Sequence, residues 1–412
     1  MNRLIVLLLV FLGSLHMEAP ARPYQRREET LRYDSVKVSL LTCGAGNQIY
    51  SLFGHTAIRV RCDEMHWDWV YNYGMFDYRT PNFATRFVLG KTDYELGVIN
   101  FNDFLYPYIT GNRWVYEQRL HLEPAEKRRL LQALNVNYLP QNRVYRYNFF
   151  YDNCATRPLN KIEQALIGQT VYSDSVQQEF STRTYRDIVY ECSEGYLWTR
   201  FGMNFCLGLP ADLPIGHREV MFAPLYLRDA FSTAQVERND GTIDNLVEWE
   251  GIVLPSRIST VVEKSWLDVF TPMVTFSLLF LVVAALSVWQ WMSHSSLWWL
   301  DMLLFSAAGV CGCVIAFLTF FSEHPAVSPN FLLIVFHPIH LFVVPFLLKT
   351  LKKRRKPVYY LINLVILTLF ILLFGVIPQR FDLAVVPLAL SLLLRSLMNV
   401  LCYYKYRYKY IK

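Results

Sequence analysis

Charged side chains are scarce in this sequence. Asp, Glu, Lys and Arg together make up 18% of its 412 residues, whereas globular domains carry about 25%. Hydrophobic residues instead reach 53% and aromatic residues 16%. A chain of this composition is too apolar to be disordered, and it does not resemble an ordinary cytosolic enzyme. The apolar excess lies at the two ends of the chain.

Common cofactor signatures are also missing. The sequence contains no P-loop, no Rossmann glycine motif and no Cys or His spacing typical of a zinc site. It contains no repeats and no low-complexity tracts. We therefore expect a protein that uses neither a metal ion nor a nucleotide cofactor.

The N-terminus has the pattern of a secretory signal. Arg3 precedes an apolar run from Leu4 to Leu12 that is too short to span a bilayer, and small residues follow at 19–21. No cysteine lies near that exit, so the signal is not of the lipoprotein type. We predict a signal peptide over residues 1–21, with a retained anchor as the alternative. In either case residues 22–265 form an exported domain.

The last third of the chain has the composition of a membrane domain. Within residues 270–412, five apolar segments each approach the roughly 20 residues that a helix needs to cross the hydrocarbon core. We predict membrane helices at 272–292, 297–321, 331–348, 358–377 and 381–403. Arg395 and Asn399 lie near one end of the fifth segment, where we expect their side chains to extend to the membrane surface.

The basic residues between these segments decide the orientation. A basic cluster occupies residues 349–356, whereas the loops 322–330 and 378–380 together hold one basic residue, Arg380. Four more basic residues follow the fifth segment: Lys405, Arg407, Lys409 and Lys412. The positive-inside rule makes the basic side cytoplasmic. We therefore predict a multi-pass protein of the bacterial inner membrane, with its exported domain in the periplasm and its C-terminus in the cytoplasm. Because the basic residues are explained in this way, we expect no nucleic-acid partner.

The exported domain contains an odd number of cysteines: Cys43, Cys62, Cys154, Cys192 and Cys206. An oxidising compartment favours disulfides, yet at least one of these thiols must stay unpaired. We predict a disulfide between Cys192 and Cys206. Cys43 and Cys62 form a second candidate pair, which leaves Cys154.

Cys154 lies at a predicted strand–helix junction. Residues 145–151 are aromatic and strand-like, and a helical repeat then starts near Pro158. A thiol at a helix N-terminus has a lowered pKa, and nearby backbone N–H groups can hold an oxyanion. We therefore interpret Cys154 as a nucleophile, with Asn153 and Ala155 as oxyanion or supporting residues. The alternative is a small residue that packs the junction.

One histidine is placed to serve as the base for this thiol. His55 opens a strand after Gly54, and a second strand at 67–74 completes a predicted hairpin. In that hairpin His55 lies across from Tyr73, and Asn72 could orient the imidazole. Tyr71, Tyr73 and Asp77 are alternatives to Asn72, and a purely structural histidine is the alternative to a base.

These motifs together resemble a known family. The order of a histidine strand, a polar strand and then Asn-Cys opening a helix resembles the circularly permuted branch of the NlpC/P60 papain-like superfamily. The segments LLTCGAGNQIYSLFGHTAIRV, YNYGMFDY, GNRWVYEQRLHL and YRYNFFYDNCATR resemble the DUF4105 family, which is associated with Lnb-type lipoprotein N-acyltransferases. The resemblance covers about residues 35–260, and the C-terminal helices match the layout of that family. It implies an α+β domain of permuted papain-like type, followed by a transmembrane bundle of about five helices.

The resemblance also implies a reaction. Cys154 is the nucleophile and His55 the base, while Asn72 corresponds only by analogy to the third polar residue of papain-like sites. Cys43 falls within a family motif and is a second thiol of interest. The acyl donor is a membrane phospholipid, the intermediate is a thioester on Cys154, and the acceptor is the α-amine of a diacylglyceryl-cysteine at a lipoprotein's N-terminus. The lipid bilayer is then a partner as well.

Two other functions remain open. The same Cys–His pair could use water as the acceptor or a peptide as the substrate, which would give a membrane-bound phospholipase, a thioesterase or a cell-wall amidase. The domain could instead be a non-enzymatic exported scaffold. A buried, unreactive or disulfide-bonded Cys154 would favour the scaffold.

Overall fold

A computed structural model describes residues 33–77, 79–256, 269–352 and 356–409. The predicted signal peptide at 1–21 and residues 353–355 of the basic loop lie outside these ranges. The described chain forms an N-terminal α+β domain and a C-terminal set of helices.

Ten β-strands belong to the described part of the N-terminal domain. The strands are β1 (Val36–Cys43), β2 (His55–Cys62), β3 (Trp67–Met75), β4 (Asp93–Asn100), β5 (Val115–Leu120), β6 (Val144–Arg146), β7 (Gly168–Val171), β8 (Gln235–Arg238), β9 (Ile243–Asn245) and β10 (Val247–Leu254). Seven of them form one antiparallel sheet in the order β10-β5-β1-β2-β3-β4-β6, and β7-β8-β9 form a second, small sheet. In β3, five of the nine residues are β-branched or aromatic, as the pleated and half-buried surface of a sheet favours.

The helices of this domain pack on both faces of the large sheet. They are α1 (Phe83–Val88), α2 (Phe101–Thr110), α3 (Pro124–Tyr138), α4 (Thr156–Ala165), α5 (Asp174–Phe180), α6 (Tyr185–Cys192), α7 (Leu197–Cys206), α8 (His217–Val220) and α9 (Pro224–Thr233). Apolar residues of α3 and α4, such as Leu134 and Ile162, share one core with Leu40 of β1. Phe104 of α2 packs with Leu41 in a second core. Leu40 and Leu41 point to opposite faces because strand side chains alternate.

Five α-helices follow in the described part of the C-terminal region. They are α10 (Pro272–Ser293), α11 (Trp298–Phe321), α12 (Ile339–Lys352), α13 (Val358–Leu372) and α14 (Val385–Lys409). Three stretches are long and apolar enough to cross a membrane: Pro272–Ser293, Trp298–Phe321 and Val385–Lys405.

The third predicted membrane helix, at 331–348, is not one continuous α-helix. A short 3-10 helix at Phe331–Ile334 precedes α12, and Pro338 lies between the two. Proline lacks the N–H that a helix interior requires and disfavours the helical conformation of the residue before it. The predicted fourth segment also ends earlier, at Leu372, and the fifth begins later, at Val385.

A buried ion pair lies inside the helical bundle. Nε of Arg395 donates to Oδ1 of Asp301 at 2.7 Å, and Nη1 donates to Ser287 Oγ at 2.9 Å. Asn399 Nδ2 donates to the other oxygen of Asp301. Arg395 is fully buried, so our expectation that it extends to the membrane surface was wrong. A charge inside a low-dielectric bundle is stable when it is paired and hydrogen-bonded, and Asp301 supplies the pairing.

Two loops of the bundle pack against the N-terminal domain. Asn330 Nδ2 donates to the carbonyl oxygen of Phe205, and Gln379 Nε2 donates to that of Leu207. Arg380 forms an ion pair with Asp187. Both loops, which the charge pattern placed outside, thus lie on the side of the bundle that faces this domain.

Candidate active site

The candidate site lies at the same end of three neighbouring central strands of the large sheet, β1, β2 and β3. β1 ends at Cys43, which pairs directly with His55 at the start of β2. β2 pairs with β3 through Ile58 opposite Tyr71. Continued by three residues, that register brings His55 level with Gly74, one residue beyond the predicted Tyr73. Tyr73 points to the other face of the sheet, where its hydroxyl donates to Asn137 at 2.8 Å.

His55 and Asn72 are in direct contact. Nε2 of His55 lies 2.6 Å from Oδ1 of Asn72. An amide oxygen only accepts hydrogen bonds, so Nε2 carries the ring proton and Nδ1 is left to accept one. Of the candidates considered for this role, Asn72 is therefore the residue that the structure brings to the imidazole.

Cys154 is held in the turn before α4. Asn153 fixes this turn because its Oδ1 accepts from the N–H groups of Ala155 and Thr156, at 2.8 and 3.0 Å. Its Nδ2 donates to the carbonyl oxygens of Phe149 and Phe222, and its own N–H donates to Thr156 Oγ1. The polar groups of Asn153 and the N–H of Ala155 are thus occupied. The prediction that these residues supply oxyanion donors was wrong, whereas a supporting role for Asn153 fits these bonds.

The thiol and the imidazole meet at Gly74. A Cβ atom placed on Gly74 would lie 3.6 Å from Cys154 Cβ, 3.9 Å from His55 Cε1 and 4.0 Å from Tyr94 Cδ2. Gly74 has φ +92°, a conformation that residues with a side chain rarely adopt. The missing side chain leaves room for one methyl group between the Cys154 side chain, the His55 imidazole and the Tyr94 ring.

Cys154 and His55 are both half-buried, so Cys154 is not the fully buried thiol that would favour a scaffold. Desolvation nevertheless keeps both groups neutral. Desolvation raises the pKa of the Cys154 thiol to about 11, although hydrogen bonds from the backbone N–H groups of Thr56 and of Cys154 itself act to lower it. Desolvation is also the main cause that lowers the pKa of His55 to about 4; the bond to Asn72 opposes this, and the positive charge of Arg113 adds to it. The expectation of a lowered thiol pKa at the helix N-terminus was therefore wrong, because desolvation outweighs the two backbone hydrogen bonds to the sulfur.

Two backbone N–H donors lie beside the Cys154 sulfur, and the sequence alone did not predict them. The N–H groups of Thr56 and Cys154 stabilise negative charge on the thiolate, and donors in this position can also hold the oxyanion of a tetrahedral intermediate. Thr56 follows His55 in β2, so only the tertiary approach of Cys154 to that strand reveals its role.

Three further residues surround the site. Cys43 is fully buried, and desolvation raises its pKa to about 12 while a hydrogen bond with Tyr108 lowers it. Arg113 lies over the Tyr108 ring, with its Cζ 4.8 Å from the ring centroid, and its Nε donates to Gly44 O at 2.7 Å. Within the described ranges no carboxylate forms an ion pair with Arg113. Arg113 can therefore present a half-buried positive charge to the site, with no carboxylate among the described residues to neutralise it.

Neither predicted disulfide forms, and all eight cysteines carry free thiols. Cys43 and Cys62 lie at opposite ends of the β1–β2 hairpin, whose eight-residue strands separate them by roughly 20 Å. Cys192 ends α6 and Cys206 ends the ten-residue α7, which extends about 15 Å from the turn that joins the two helices. A disulfide requires Cα atoms within about 7 Å of each other.

No group of three or more His, Cys, Asp or Glu side chains that could hold a metal ion occurs among the described residues.

Comparison with known families gives two matches. Residues 24–191 match the family model described as the Lnb N-terminal periplasmic domain, and residues 262–407 match the one described as the Lnb transmembrane domain. The two matches follow one another in the order of the folded parts and support an Lnb-type family for this chain. They support a membrane protein with a periplasmic α+β domain and a helical membrane region. No curated protein and no solved structure matches the chain.

Proposed function

We propose that this protein is a lipoprotein N-acyltransferase. It moves an acyl chain from a membrane phospholipid, through a thioester on Cys154, to the α-amine of the diacylglyceryl-cysteine at a lipoprotein's N-terminus. The main support is the arrangement at Gly74, where Cys154 and His55 adjoin one gap with room for a methyl group and Asn72 contacts the imidazole. The Lnb-type family is consistent with an enzyme of lipoprotein maturation.

The first half-reaction forms the acyl-enzyme. Nδ1 of His55 takes the proton from the Cys154 thiol as the sulfur attacks the ester carbonyl carbon of the phospholipid. The backbone N–H groups of Thr56 and Cys154 hold the resulting oxyanion. The carbon–oxygen bond of the ester then breaks, and protonated His55 gives its proton to the departing alkoxide. The products are a lysophospholipid and a thioester on Cys154.

The second half-reaction transfers the chain. The neutral α-amine of the acceptor attacks the thioester carbonyl, and His55 accepts the amine's proton. The carbon–sulfur bond breaks, an amide forms, and the proton returns from His55 to the Cys154 thiolate. Both groups regain the neutral state that their burial favours, so the cycle consumes no cofactor. A site with little water protects the thioester from hydrolysis.

The charge near the site suits an anionic donor. Arg113 is an arginine without a carboxylate partner among the described residues, and its charge acts on both His55 and Cys43. A guanidinium binds phosphate oxygens through two parallel hydrogen bonds. We assign Arg113 to the phosphate of the donor phospholipid.

The finer structural assignments belong to the same proposal. The proposed catalytic histidine precedes the cysteine in the chain; His55 lies on a strand of the antiparallel sheet, and Cys154 lies in the turn before a helix N-terminus. This is the order of a circularly permuted NlpC/P60 papain-like domain. We place the protein in the bacterial inner membrane with five membrane-embedded helices and a cytoplasmic C-terminus. The basic residues 349–356 then lie on the cytoplasmic side.

Mass spectrometry of a diacylated lipoprotein, coexpressed in cells that lack their own N-acyltransferase, tests the proposal. We expect one added acyl chain on the α-amine with the wild-type protein and none with Cys154→Ala or His55→Ala, provided that both variants are inserted and folded. Lysophospholipid without an acylated lipoprotein, formed by the wild type alone, would change the assignment to a phospholipase. Full acylation by either variant would exclude the Cys–His pair.

A further inference from the structure

A continuous row of aromatic rings leads away from the candidate site. We call it the aromatic ladder, and it consists of Tyr147, Tyr94, Phe76, Phe83 and Phe87. Successive ring centroids lie 4.0, 4.7, 5.6 and 6.4 Å apart, and the interplanar angles stay between 16° and 21°. Each ring therefore lies nearly parallel to the next ring in the row.

The inner end of the ladder adjoins the nucleophile. Tyr94 borders the same open space at Gly74 as Cys154 does. Tyr94 is buried, Phe76 and Phe83 are partly buried, and Phe87 is 39% exposed. From Tyr94 to Phe87, exposure thus increases.

The outer end of the ladder adjoins the membrane helices. The Phe87 ring lies 5.9 Å from the ring of His324, and His324 Nε2 bonds to the carbonyl oxygen of Phe87 at 2.8 Å. Ser322 Oγ donates to Val88 O at 2.7 Å. Ser322 directly follows α11, one of the three stretches able to span a bilayer. The exposed Phe87 ring of the ladder is therefore held beside the end of a membrane helix.

Core packing does not explain the outermost ring. Phe76 and Phe83 pack against the main core, whereas Phe87 is exposed on helix α1, which contains no buried residue. An exposed aromatic ring that continues a row of stacked rings is a candidate binding surface. Its position beside the end of α11, a helix apolar enough to cross a bilayer, favours a lipid as the apolar partner.

We propose that the aromatic ladder is the track along which the acyl chain of a membrane lipid reaches Cys154. The alkyl chain leaves the bilayer beside His324, lies against Phe87, Phe83 and Phe76, and presents its ester carbonyl at the space beside Gly74. This assignment rests on the proposed acyl-donor function. It adds that the enzyme selects donors by the length of the chain that contacts the rings.

Donor selectivity in the full-length protein gives the first test. We would measure kcat/KM for a 16-carbon phospholipid in mixed micelles and for a four-carbon soluble ester, and compare the two. We expect the ratio of long-chain to short-chain kcat/KM to fall about tenfold in Phe87→Ser and Phe83→Ser, because each loses apolar contact with the long chain only. The control is Trp249→Ser, since Trp249 is 43% exposed on β10 at the opposite edge of the sheet. An unchanged ratio in both phenylalanine variants would overturn the track.

A second measurement separates the track from the transfer reaction. The Cys154→Ala protein, in nanodiscs that contain a phospholipid with a photoreactive diazirine in its acyl chain, is irradiated and its peptides are mapped. We expect crosslinks on residues 83–88 that Phe87→Ser reduces, and none around Trp249. Crosslinks in the Cys154→Ala protein, together with no acyl transfer by the wild type, would retain the track and refute the proposed reaction. Acyl transfer by the wild type without crosslinks at 83–88 would retain the reaction and refute the track.

Discussion

The imidazole of His55 is held by Asn72, with Nε2 of the ring 2.6 Å from Oδ1 of the amide. The two residues lie on the neighbouring strands β2 and β3, and β3 pairs with β2 on one side and with β4 on the other. Asn72 itself pairs with Gly97 of β4, so its backbone position is fixed by the sheet. A fixed orientation suits the proposed role of His55, which accepts and returns a proton in each half-reaction.

Replacing Asn72 should impair chemistry more than folding. Asn72→Ala removes the acceptor that fixes the ring proton on Nε2, so the base loses its orientation. We expect turnover to fall roughly ten- to a hundredfold, while thermal stability stays close to that of the wild type. Initial rates of lysophospholipid release, measured alongside thermal unfolding, test this. A wild-type rate would mean that the Asn72 contact has no role in orienting the base.

The reactivity of Cys154 should depend on pH as a buried thiol does. Burial raises its pKa to about 11, so the thiolate fraction at pH 7 is small and grows about tenfold per pH unit up to that value. We expect iodoacetamide labelling of the resting protein, quantified on the Cys154 peptide, to rise continuously from pH 7 to 10. A plateau that begins near pH 6 would instead indicate a preformed thiolate–imidazolium pair.

Filling the space at Gly74 should block the site. Gly74→Ala adds a methyl group between Cys154, His55 and Tyr94 and strains a backbone with φ +92°, at a cost of about 1 kcal/mol in stability. Gly195→Ala is the matched control, because Gly195 has φ +84° and nothing within 4 Å of its added Cβ. We expect similar loss of stability in both variants and loss of acyl transfer in Gly74→Ala alone. Equal activities would show that the space is not used by substrate.

Asp301 and Arg395 should stabilise the protein only when both charges of the pair are present. Arg395→Met leaves the Asp301 carboxylate buried without its cation, and we expect it to destabilise the protein by about 3–5 kcal/mol. Asp301→Leu combined with Arg395→Met removes both charges and should recover most of that loss. Unfolding in detergent micelles measures both variants. If the double variant were as unstable as Arg395→Met, the ion pair would stabilise the protein by more than the neutralisation of each charge by the other.

Local patterns predicted much of the architecture. The strand that begins at His55 and the strand that follows it lie where alternation placed them, as β2 and β3. The apolar segments at 272–292 and 297–321 correspond to α10 and α11 within one residue at each end. The strands depend on an alternation of apolar and polar residues and the membrane helices on an uninterrupted apolar run, and a short window of sequence contains both patterns.

Errors arose where a residue's partner is remote in sequence. The register of His55 was off by one residue because it depends on the pairing along the whole hairpin. Arg395 was assigned to the membrane surface because its partner, Asp301, lies three helices earlier in the chain. The Cys192–Cys206 bridge was inferred from spacing, whereas two helices direct these residues apart.

The sequence by itself determined which residue types are available for catalysis and where the chain is apolar enough for a membrane. Cys154 and His55 stand out because their flanking residues form recognisable local motifs. Only the tertiary structure decided their chemistry. Burial sets the directions of their pKa shifts, the approach of β2 supplies the N–H of Thr56, and stacked rings from separate segments form the aromatic ladder. Desolvation and through-space contact depend on the distances between folded segments, and no window of the sequence contains those distances.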